Sequence, residues 1–180
     1  MRALAEQISL SHPDIVALSE IDDGNALALA TRFDLQWAYR GGQALLWNAR
    51  MHLESVYESY LPAVPLPAFD RRGLLRVDGA FEGRPIGLFA TRFAPGRSRI
   101  RDLRVTRGVV RGARIERALL FVTDPPAGRR AMFDDLGFTC HVSERVPDLL
   151  LATRGCSVDR CVRTPGAERS GSQLLAGVTV

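Results

Sequence analysis

The chain has 180 residues, 46% hydrophobic and 24% charged, a balance that fits one globular domain over residues 1–180 and excludes a low-complexity or disordered chain. No apolar run reaches membrane-spanning length and residues 1–7 lack a secretory hydrophobic stretch, so a cytoplasmic location without a membrane span is expected. All 24 basic residues are arginine, and the net charge of +4 permits an anionic partner without demanding one.

Leu4, Ile8 and Leu10 predict a helix over residues 2–11 that delivers the chain into Pro13-Asp14-Ile15-Val16-Ala17-Leu18-Ser19-Glu20-Ile21. That near-continuous apolar run reads as a short strand covered on both faces, which favours a layered α/β domain. Glu20 sits where this strand opens into Asp22-Asp23-Gly24-Asn25. Taken alone, it reads first as an ordinary rim or capping carboxylate and second as a ligand for a hard cation. The Asp-Asp-Gly-Asn turn caps a helix over residues 26–32. Residues 35–39 and 43–50 form a hairpin around Gly41-Gly42, and 51–61 continue in extended form to the prolines of 62–67.

Residues 71–81 and 84–91 pair as a second hairpin around Glu82-Gly83. Arg97, Arg99, Arg101, Arg104, Arg107, Arg111, Arg114 and Arg117 follow at largely helical spacing. A solvated helix face is the first reading of residues 97–117 and nucleic-acid contact the second, since no aromatic residue is interleaved to stack bases. Residues 117–122 read as a strand, 127–136 as a helix stopped by Gly137, and 147–154 and 158–163 as two further strands. The cysteines are Cys140, Cys156 and Cys161; an odd count without a secretion signal argues for reduced thiols. Zinc on Cys140, His141, Cys156 and Cys161 is disfavoured, because adjacent residues on a strand point to opposite faces and no CxxC spacing occurs.

The stretch Pro13-Asp14-Ile15-Val16-Ala17-Leu18-Ser19-Glu20 resembles the PDIVALQE strand of the endonuclease/exonuclease/phosphatase superfamily, with Ser19 in place of the usual Gln. Family-like stretches follow in order: Gln43 to Arg50 resembles GNAILSR, and Pro147-Asp148-Leu149-Leu150-Leu151-Ala152 resembles IDYLLAS. The resemblance implies an α+β, two-sheet sandwich flanked by helices in four layers, with Mg²⁺ held by Glu20 and with Asp124 and Asp148 in catalytic roles. The family's first strand, which carries a metal-site Asn, has no counterpart before residue 2, so a gap or exposed edge inviting an edge-strand dimer is expected.

Several motif positions depart from the family. Its NTHL reads Ala90-Thr91-Arg92-Phe93, its GDFN reads Thr123-Asp124-Pro125-Pro126, and its SDH is replaced around Gly171-Ser172. Serine has no imidazole to work with Asp148, and losing a general base costs about 10²–10⁴-fold in rate. Arg92 in the His position offers a guanidinium that can hold a phosphate. The resemblance so altered implies a catalytically impaired domain with weak or absent Mg²⁺ binding that binds a phosphate-bearing ligand or a protein. Two alternatives stand beside it. One is an active Mg-dependent phosphoesterase or nuclease rebuilt on Glu20, Arg92, Asp124 and Asp148; the other is a non-enzymatic nucleic-acid-binding module using residues 97–117.

Overall fold

The computed structural model describes residues 1–60, 73–93, 98–125, 132–142, 149–164 and 173–179. Helix α1 (Arg2–Ser11) leads into β1 (Ile15–Ser19), buried along its whole length. Helix α2 (Asp23–Arg32) is capped by Asp22, whose Oδ1 accepts from the Asn25 backbone N–H at 2.8 Å. That bond holds the Asp22 carboxyl below its usual range. Strands β2 (Gln36–Arg40) and β3 (Gln43–Trp47) form the first hairpin, with Gly41 and Gly42 both at positive φ, as a tight primed turn requires.

The extended run does not continue in one sheet. At residues 48–50 the chain leaves β3 and enters β4 (Met51–Tyr60) in the opposite sheet. Asn48 makes that corner: its N–H donates to the Asp14 carbonyl at 3.1 Å and its Oδ1 accepts from the Arg50 N–H at 3.0 Å. Arg50 then bridges Asp14 at 2.8 Å and Glu82 at 2.6 Å, tying the start of β1 to the tip of the next hairpin.

That hairpin is β5 (Gly73–Phe81) and β6 (Arg84–Arg92), turned at Glu82-Gly83 as the sequence predicts. Helix α3 (Ser98–Gly112) carries the chain to β7 (Ala118–Thr123), which pairs parallel with β6. The arginine-rich helix thus stops at Gly112, short of residue 117. Of the helix expected over 127–136, the 3₁₀ turn Asp134–Leu136 is what falls among the described residues, and Gly137 ends it at φ 75°. Strand β8 (Thr139–Val142), which carries the Cys140-His141 pair as the zinc argument supposed, pairs with β9 (Leu149–Arg154), and β10 (Ser157–Thr164) pairs with β11 (Gln173–Thr179).

The sheets run β10-β11-β1-β3-β2 and β4-β5-β6-β7-β9-β8. No gap lies beside β1, because β11 and β3 pair with it on either side. Of the expected gap or exposed edge, the gap is therefore not found; among the described residues the sheets end at β10, β2, β4 and β8. Three apolar layers fill the sandwich. Ile15, Leu45 and Trp47 meet Leu88, Leu119 and Phe121 between the sheets. Leu4, Ile8 and Leu29 of the first two helices cover Val16 and Leu18 on one outer face, and Val110 of α3 packs with Phe89, Leu120 and Phe133 on the other. The sequence reading of an α+β sandwich flanked by helices is borne out. The full burial of β1 follows from this layering: alternate residues serve two different cores.

Arg154 locks the region around α3's end. It donates to the Leu136 carbonyl at 3.2 Å and to the Ile115 carbonyl, and its guanidinium lies 4.9 Å from the Phe138 ring centre. Burial pushes its pKa down from the usual arginine range. On α3 itself, Gly108 has nothing within 4 Å of where a Cβ would stand, so no packing contact accounts for a glycine that costs about 1 kcal/mol relative to alanine in a helix interior. Among the described residues, no helix is long and apolar enough to cross a membrane.

Candidate functional site at the mouth of the sandwich

Along β6, Ile86, Leu88 and Ala90 face the inter-sheet core, and this alternation carries Arg92 to the mouth between the sheets. Glu20 follows β1 of the opposite sheet, and Asp124 follows β7, the parallel neighbour of β6. Arg92 joins them. Its Nε donates to Asp124 Oδ2 at 2.9 Å and its Nη1 is ion-paired with Glu20 Oε1. The three side chains are about one-third exposed, at 33% for Arg92, 35% for Glu20 and 28% for Asp124.

Both carboxylate residues sit in left-handed backbone, Glu20 at φ 59° and Asp124 at φ 56°. A non-glycine residue held there costs on the order of 1 kcal/mol or more, so the surrounding structure must enforce it. At Glu20 the enforcement is visible: Ile21 N–H donates to the Gly42 carbonyl at 3.3 Å, and Gly42 N–H donates to the Tyr39 hydroxyl at 3.2 Å. Beneath the triad, Gln43 Nε2 donates to the buried Ser19 Oγ at 2.9 Å. Sequence reasoning noted Ser19 as a departure but missed Gln43, its register partner across the β1–β3 pair. A second ion pair, Arg40 to Glu58 at 2.8 Å, also joins the two sheets.

Of the residues singled out from the sequence, the structure thus brings Glu20, Arg92 and Asp124 together. Asp148, Pro126, Gly171 and Ser172 lie outside the described residues, as do the prolines of 62–67. Cys140 and His141 lie on β8 and Cys161 on β10, which belong to different sheets. Cys156 is half-buried and its thiol donates to the Ala118 carbonyl at 3.5 Å; burial pushes its pKa up.

Mg²⁺ takes a near-octahedral shell of about six oxygens and is bound through carboxylates left open to it. Here Glu20 and Asp124 already face a guanidinium that cannot be deprotonated, and among the described residues no three His, Cys, Asp or Glu side chains group to hold a metal. These residues do not fit the ion in the arrangement observed.

Two sheets packed face to face, helices outside both, and acidic residues at the strand ends of the mouth define an endonuclease/exonuclease/phosphatase fold. Solved structures with this fold superpose on nearly the whole chain. Humanized D. rerio TDP2 matches with a TM-score of 0.74 at 14% identity, over 99% of this chain and 90% of that one. The human Nocturnin catalytic domain with bound sulfate anion gives 0.72 at 13% identity, over 99% and 85%. The endonuclease/exonuclease/phosphatase from Bacteroides vulgatus gives 0.72 at 11% identity, over 98% and 88%. No family model and no curated protein matches the sequence.

Proposed function

We propose that this chain is a non-hydrolytic binding domain built on the phosphoesterase fold, with the guanidinium of Arg92 occupying the cation position between Glu20 and Asp124. The carrying observation is that one arginine engages carboxylates from both sheets. Hydrolysis in such a fold calls for a metal, an activated water and a base; the fixed cation of Arg92 supplies none of these. The triad carries two carboxylates and one guanidinium, a net −1, so a phosphate arriving there is repelled unless a carboxylate leaves Arg92. This argues against Arg92 as a phosphate clamp and for the triad as an ion cluster pinning the sheets, with ligand binding on another surface.

One observation favours the second reading, an active Mg-dependent phosphoesterase or nuclease. Glu20 and Asp124 are held in costly left-handed backbone around a single cation, an arrangement that would also serve a divalent ion displacing Arg92. The discriminating experiment assays the chain with Mg²⁺ or Mn²⁺ on bis(p-nitrophenyl) phosphate and on single-stranded DNA, D. rerio TDP2 being complexed with a single-strand DNA product in another solved structure. Turnover no greater than that of the Glu20→Gln and Asp124→Asn variants is expected. Metal-dependent turnover lost in both variants would overturn the proposal and establish the second reading.

A further inference from the structure

We infer that the outer face of α3 binds the phosphate backbone of duplex nucleic acid without reading its sequence. Arg101, Arg104, Gly108 and Arg111 are all exposed and, at 100° per residue, fall within one narrow arc of the helix, opposite the buried Thr106 and Val110. From Arg101 to Arg111 the stripe runs about 15 Å, enough to span several phosphates of a strand rising 3.4 Å per nucleotide. Arg114 extends it just past the helix end. The acidic residue that reaches this helix from outside is Asp135, which ion-pairs with Arg107 and, at 3.4 Å, with Arg111. Arg101, Arg104 and Arg114 face solvent with no acidic partner among the described residues, and Asp102 is buried on the other side.

Gly108 is the second, independent observation. Among the described residues nothing stands within 4 Å of where its Cβ would be, yet it lies between Arg104 and Arg111 and opens the helix backbone to close approach from outside. A notch flanked by guanidinium groups suits a phosphodiester chain laid along the helix. The face carries no aromatic side chain, which disfavours single strands, whose binding relies on base stacking. Its one large exposed apolar residue is Ile100, at 56%, too little for the apolar core of a protein interface. None of these arginines belongs to the Glu20–Arg92–Asp124 cluster, and the inference stands whatever the cluster does.

The test measures anisotropy of a labelled mixed-sequence DNA duplex titrated with the full chain across a salt series. Arg101→Gln/Arg104→Gln/Arg111→Gln is compared with a control, Arg2→Gln/Arg32→Gln/Arg84→Gln, which removes the same charge from exposed sites elsewhere. Glutamine keeps helix propensity, and equal melting temperatures establish that both variants fold. The expected result is that the α3 variant loses tenfold or more in affinity and its log–log salt slope falls by about 3, while the control keeps the wild-type slope. Equal losses in both variants would assign binding to net charge and overturn the inference. So would no binding by the wild type, or a poly-glutamate competitor displacing the duplex at equal charge, which would point to an acidic protein instead.

Discussion

The guanidinium of Arg92 lies against Asp124, Nε to Oδ2 at 2.9 Å, where the parallel strands β6 and β7 end side by side. Register explains the meeting: Arg92 is aligned with Thr123, and the left-handed turn at Asp124 follows at once. Replacing Arg92 by serine leaves two carboxylates facing one mouth. The variant is expected to lose about 1–3 kcal/mol, the lower part of that range being favoured by the partial exposure of the cluster. Millimolar Mg²⁺ should then raise its melting temperature more than that of the wild type, because the vacated position becomes a site for an added cation. Equal responses of the two proteins would show that the carboxylates part when the arginine is gone.

Arg154 holds two carbonyls that no neighbouring side chain replaces in the contacts described above. Arg154→Met should cost about 2–4 kcal/mol, since two half-buried acceptors and a charged donor are lost together. Arg154→Lys should recover only part of it, an ammonium lacking the fork that reaches both carbonyls. Urea midpoints of the three proteins decide the matter; a methionine variant as stable as wild type would make the tether incidental.

Gly79 faces the irregularity in β4 between Leu53 and Ser55, and an added Cβ would stand 2.3 Å from the His52 carbonyl oxygen. Gly79→Ala is therefore predicted to destabilise by about 1–3 kcal/mol through forced backbone displacement. Gly108→Ala on α3 should do the opposite, raising the melting temperature slightly, because that position is open. Calorimetry of the pair reads both signs against one baseline.

The thiol of Cys156 should react slowly with iodoacetamide at neutral pH, since burial raises its pKa and keeps it protonated. With the folded pKa above the unfolded one, the group's contribution to stability is full below the unfolded value and is lost as pH rises through the folded one. Peptide-resolved alkylation across an alkaline pH series separates it from the other two cysteines. A Cys156 rate equal to that of a free thiol at every pH would contradict the burial argument.

Much of the fold was legible because it rests on local chemistry. Gly41-Gly42 and Glu82-Gly83 mark their turns, Asp22 its cap, and the apolar run of β1 its double burial. Strand β8 was supposed at Cys140-His141 but given no bounds, because four residues, Thr139 to Val142, are too few to show a period. The crossover at Asn48 was invisible because two strands read as one when the corner between them is made by side-chain bonds to Asp14, distant in sequence. In the candidate site, the family resemblance set Arg92 at a histidine position. That its guanidinium is shared between Glu20 and Asp124 depends on how the sheets face each other, which no linear pattern encodes.

The place of β11 has a consequence for how the protein is made. Strand β1 is synthesised long before its partner, since one side of its ladder is filled by residues 173–176. By the time residue 123 is out of the ribosome, four strands of the six-stranded sheet have all their mutual partners. The other sheet must wait with its largely apolar central strand paired on one side and one row of peptide groups unclaimed. A chain cut before residue 173 would lack the neighbour of its central strand. Its exposed ladder would be open to pairing with the next such chain.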